Sequence, residues 1–98
     1  MHIDPALHPA LDNYKLLTNL VIPRPIAWVT SCDANGVVNL APFSFFNAVG
    51  AEPTYIVLSV GNRPAGEPKD TARNILATRC FSVSVPAVAD LRSEEHTS

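Results

Sequence analysis

Residues 26–41 carry the feature that most limits the possible folds. IAWVTS (26–31) is dense in β-branched and aromatic side chains, CDANG (32–36) is turn chemistry, and VVNLA (37–41) resumes the apolar run. Branched side chains pack well on a pleated surface and lose rotamer freedom in a helix. Asn35-Gly36 tolerates the positive φ angles that close a tight turn between antiparallel strands. The segment therefore reads as a β-hairpin, with Pro42 expected to stop its return strand because proline has no N–H to pair.

The flanking segments extend the same logic. FSFFNAV (43–49), TYIVLSVG (54–61) and CFSVSV (80–85) read as further strands, separated by Gly50 with AEP (51–53) and by the polar loop NRPAGEP (62–68). KDTARNILATR (69–79) reads as a short helix with Ala72, Ile75 and Leu76 on one face, and Asp70 is expected to cap a helix that starts at Thr71. YKLLTNLV (14–21) has leucines at helical spacing and reads as a short helical turn, ended by Pro23 and Pro25. Residues 1–13, with Pro5 and Pro9, read as a loose lead-in. Closely spaced strands with tight turns predict a mainly β chain with a short helix, in an antiparallel sheet or barrel rather than a doubly wound fold.

Composition excludes several function classes. Ninety-eight residues with 47% apolar and 16% charged side chains suit one small globular domain. Seven Lys and Arg against a formal charge of −2 make no basic stripe, so nucleic acid is not an expected partner. No apolar run reaches the roughly 18 residues a membrane span needs, and the N-terminus has no secretory pattern. Cys32 and Cys80 make no disulfide framework and read as reduced thiols. The expectation is a cytoplasmic protein without a membrane partner.

Self-sufficient catalysis finds little support. His2, His8 and His96 lie near the ends, and no His, Cys, Asp and Glu cluster has metal-ligand spacing. No nucleophile elbow, no dinucleotide fingerprint and no Walker loop is present. An enzyme built on this chain would therefore borrow its chemistry from a bound cofactor.

Three features carry two readings each. KDTARN (69–74) is either a solvated, capped helix start or an anion site in which Lys69, Arg73, the Thr71 hydroxyl and free N–H groups meet a phosphate. NLAPFSFFNAVG (39–50) is either an amphipathic core strand or an apolar wall with polar groups for a planar ligand. Strict alternation puts Ser44 and Asn47 on opposite faces, so a bend is needed to bring both to one ligand. Trp28 is either a core aromatic or a pocket ring.

Taken together, PRPIAWVTS (23–31), NGVVNLAPFSFFNAVG (35–50), YIVLSVG (55–61) and KDTARNI (69–75) resemble, in content and order, the flavin reductase-like, FMN-binding split-barrel family. The resemblance runs from about Tyr14 to Val85 and covers the N-terminal part of the family domain, taken here as residues 14–91. It implies an antiparallel split β-barrel, truncated in this chain, that forms a homodimer and holds FMN, with FAD as the alternative. It also implies electron transfer from NAD(P)H to flavin, in some members on behalf of an oxygenase partner. Carried onto this chain, it assigns flavin contacts to Ser44, Asn47 and the backbone at Ala41 and Pro42. Lys69 and Thr71 become phosphate contacts, Arg73 a weaker one, and Trp28 borders the pocket. The competing expectations are a flavin-binding electron carrier without catalysis and an inactive fragment. The tail RSEEHTS (92–98) resembles one translated frame of a DNA sequencing adapter and reads as non-native.

Overall fold

The computed structural model describes residues 2–87. A 3-10 turn at Pro5–Leu7 leads into helix α1 (Ala10–Leu20), followed by strands β1 (Ala27–Cys32), β2 (Val38–Phe43), β3 (Phe46–Ala51) and β4 (Thr54–Leu58), helix α2 (Asp70–Thr78) and strand β5 (Ser82–Ser84). The strands form two antiparallel sheets, one in the order β2-β1-β5 and one pairing β3 with β4.

The hairpin forms as the sequence predicts. Asp33 reinforces its turn: its carboxylate accepts from the N–H of Asn35 at 2.8 Å and of Val37 at 3.0 Å. Gly36 closes the turn with φ +83, a left-handed value that costs an L side chain strain. Register then sets every cross-strand pair, placing Ala27 opposite Phe43, Val29 opposite Ala41 and Ser31 opposite Asn39.

Alternation along β1 buries Ala27, Val29 and Ser31 on one face, and α2 packs against that face. Ala27 and Val29 are the buried apolar residues among those described, so the apolar core is small.

Four expectations need correction. The lead-in is not loose throughout: α1 starts at Ala10, because Pro9 at the N-cap offers its carbonyl to the N–H groups of Asp12 and Asn13, and its own missing N–H would have had no helical acceptor. Pro42 does not stop the return strand. It pairs with Trp28 inside β2, which tolerates proline because β2 is an edge strand. FSFFNAV is not one strand; the chain bends at Ser44 and Phe45, leaving Phe43 in one sheet and Phe46 in the other. Finally, α2 starts at Asp70, with Lys69 at the N-cap and no side-chain capping bond. The Asp70 carboxylate instead pairs with Arg63 at 2.8 Å and with Arg73. The tail at 92–98 lies outside the described residues.

Candidate functional site

The buried face of α2 is polar. Thr71 and Asn74 are 2% and 4% exposed, whereas Leu76, expected on a packed apolar face, is 76% exposed. Residues three apart on a helix share a face, and both find partners on the sheet. Asn39 Nδ2 donates to Thr71 Oγ1 at 2.9 Å, and Asn74 Nδ2 donates to Ser31 Oγ at 3.2 Å. Since Ser31 and Asn39 stand directly opposite each other on β1 and β2, two helix positions dock onto one cross-strand pair. This double tie fixes where the first turn of α2 lies on the sheet.

Beside that turn is a cleft of about 590 Å³, lined by Asn39, Ala41, Pro42, Phe43 and Arg63 with Lys69, Asp70 and Thr71 of the helix start. Its size falls within the roughly 300–1,000 Å³ of small-molecule sites. Asn39, Ala41 and Phe43 project from the face of β2 that carries the α2 contacts, as the pleat requires.

Arg63 arrives through the loop before α2. Asn62 bridges to Pro68, the Arg63 N–H donates to the Glu67 carbonyl at 2.8 Å, and Gly66 sits at φ +85. The loop thus folds back on itself and delivers Arg63 to Asp70. No sequence signal marked Arg63 or Asn39 as site residues; both depend on contacts across 7 and 32 positions of chain.

The cleft suits an anion. The first intrahelical bond of α2 runs from the Arg73 N–H to the Lys69 carbonyl at 3.0 Å, which leaves the N–H groups of the preceding helical residues without helical acceptors. No side chain caps them. Lys69 makes no ion pair among the described residues, whose ion pairs both centre on Asp70. The negative charge of Asp70 is thereby engaged by two guanidinium groups.

Of the residues expected from sequence, Ala41, Pro42, Lys69 and Thr71 come together here. Arg73 is committed to Asp70. Ser44 lies at the bend after β2, where its Oγ accepts from Arg24 Nε at 3.3 Å. Arg24 also donates to the Thr18 and Val21 carbonyls, each at 2.9 Å, and sits 5.5 Å from the centre of the Phe45 ring. Phe45 in turn packs on Tyr14 of α1, with ring centres 5.8 Å apart. Asn47 lies on β3, exposed, with its Oδ1 accepting from the Ala48 N–H at 2.7 Å. Trp28 pairs with Pro42 and Ser84 across the sheet, and its Nε1 is buried without a partner among the described residues.

Among the described residues, no group of three or more His, Cys, Asp and Glu is arranged to hold a metal ion. No helix there is long and apolar enough to cross a membrane.

A family model described as a flavin reductase like domain matches residues 19–97. The chain belongs to the flavin reductase-like family. An uncharacterized protein of Halalkalibacterium halodurans is 54% identical over 74 residues, covering 76% of this chain and 35% of its own length. Nitrilotriacetate monooxygenase component B from Bacillus cereus superposes with a TM-score of 0.83 at 43% identity, over 97% of this chain and 46% of that one. Pseudomonas fluorescens 2-nitrobenzoate 2-nitroreductase NbaA superposes with a TM-score of 0.78 at 33% identity, over 97% of this chain and 45% of that one. The two sheets and their helices therefore have the architecture of part of a flavin reductase-like split barrel. The chain spans less than half the length of these proteins.

Proposed function

We propose that this chain forms part of an FMN-binding oxidoreductase that passes electrons from NAD(P)H to flavin. Residues 14–91 then make up the N-terminal part of its domain, in keeping with the share of the relatives' length that the chain spans. The observation that carries the reading is the cleft at the start of α2, within a chain that the flavin reductase-like family matches over residues 19–97.

The donor set fits a phosphate monoester. Lys69 supplies a cation, Thr71 a hydroxyl, and the first turn of α2 its uncapped N–H groups. Phe43, Ala41 and Pro42 give the adjoining wall an apolar character, suited to the flat part of a nucleotide. Ser44 and Asn47 are further candidates for the polar edge of the flavin. Ser44 is the better placed, one residue beyond the cleft-lining Phe43 and braced by Arg24. A bound flavin supplies the hydride-accepting and electron-passing chemistry. The protein's own groups bind, orient and shield it, and none is required as a general base. The whole protein is further proposed to be a cytoplasmic homodimer, and the similarity to a monooxygenase component B supports an oxygenase partner as the recipient of its electrons.

Titration of FMN into the purified 98-residue chain tests the reading. Quenching of flavin fluorescence with a micromolar Kd is expected, followed by flavin-dependent loss of NAD(P)H absorbance. A 98-residue chain that FMN cannot reconstitute replaces the reading with an inactive fragment, and a full-length parent protein that is also colourless and cannot be reconstituted overturns the proposal. Flavin binding without NAD(P)H oxidation replaces it with an electron carrier.

A further inference from the structure

Thr71 is 2% exposed, yet its hydroxyl is only half used. Its Oγ1 accepts a hydrogen bond from Asn39 Nδ2 at 2.9 Å, and no acceptor for its own O–H is present among the described residues. A hydroxyl has one proton to donate. With the amide N–H occupying one lone pair, that proton is directed away from Asn39. Both residues line the cleft beside Lys69. A buried donor without an acceptor is costly, so such groups point to a partner.

We infer that Asn39 is a positioning residue: by donating to Thr71 it turns that hydroxyl into a dedicated donor toward a phosphate oxygen in the cleft. The inference rests on the reading of this cleft as the FMN phosphate site. Asn39 is well held for the task. It faces Ser31 across the hairpin, and Ser31 in turn holds Asn74, one turn along the helix from Thr71. Asp70, the carboxylate in the cleft lining, opposes an anion, but its charge is engaged by Arg63 and Arg73. Asn39 itself need not touch the ligand.

The test compares FMN with riboflavin, which has the same ring and no phosphate, by fluorescence titration of the 98-residue chain. The unaltered chain is expected to prefer FMN. Thr71→Val and Asn39→Ala should each lower FMN affinity by about tenfold or more, the worth of a hydrogen bond to a charged group, and leave riboflavin affinity unchanged. The double variant should bind FMN no worse than Thr71→Val, and Thr71→Ser should retain the preference. Asn39→Asp keeps the side-chain shape but captures the Thr71 proton, so it should also abolish the preference for FMN. The inference is overturned if Asn39→Asp keeps that preference, if Asn39→Ala weakens both flavins alike, or if its effect adds to that of Thr71→Val. An unaltered chain with no preference for FMN would instead overturn the phosphate reading of the cleft.

Discussion

Replacing Asn74 with alanine probes the tie that seats α2 on the sheet. The substitution deletes the bond from Asn74 Nδ2 to Ser31 Oγ, 3.2 Å long between residues each 4% exposed. The Ser31 hydroxyl is then stranded, since no other bond to it exists among the described residues. Stranding a buried polar group costs about 1–3 kcal/mol, and the space left by the amide adds to this. A loss of about 2–3 kcal/mol is expected, which lowers Tm by about 10–20 °C in a domain of this size. Helix propensity works slightly the other way, because alanine is the better helix former. The bond from Thr78 Oγ1 to the Asn74 carbonyl, 2.9 Å long, uses the backbone and survives. Ser31→Ala should cost a similar amount by stranding the amide. The double variant removes both polar groups, so its cost should fall short of the sum by about 1–2 kcal/mol. Urea unfolding followed by far-UV circular dichroism and by the fluorescence of Trp28, the one tryptophan, measures all three. Additive costs, within about 0.5 kcal/mol, would refute the claim that the two side chains act as a buried pair.

Other perturbations test separate parts of the structure. Val29→Ala removes two carbons from a fully buried site and should destabilise by about 2–3 kcal/mol, read as a lower urea midpoint with an unchanged slope. Gly36→Ala meets no atom within 4 Å but must adopt φ +83, so a loss of about 1–2 kcal/mol from backbone strain alone is expected in a thermal melt. Lys69→Met should weaken FMN binding and flatten its salt dependence, while leaving Tm nearly unchanged. Arg24→Met frees the carbonyls of Thr18 and Val21 at the end of α1 and should speed proteolysis within that helix, seen as earlier cleavage on a gel.

The corrections above share one origin. Local pattern identified strands and helices from side-chain shape and spacing, but their relations lie outside any short window. Pro42 reads as a stop until the sheet order makes β2 an edge. Asp70 reads as a cap until the loop through Gly66 brings Arg63 to it. For α2, the apolar spacing of Ala72, Ile75 and Leu76 suggested the buried face. The residues with partners waiting on β1 and β2 are instead Thr71 and Asn74. Lys69 and Thr71 were legible because a helix start with a cation beside it is a local anion signal. Asn39 and Arg63 were not, because neither has a role until distant segments meet.

By itself, then, the sequence determined the hairpin, the antiparallel class and the family. Turn chemistry and β-branching act over a few residues, and the motif string spans most of the chain. Only the tertiary structure decided which face of α2 is buried, how the bend at Ser44 divides the phenylalanines between two sheets, and which polar groups share the cleft. Those outcomes depend on cross-strand register: Ser31 opposite Asn39 presents two hydrogen-bonding partners at the spacing of one helical turn, and the helix settles where both are met.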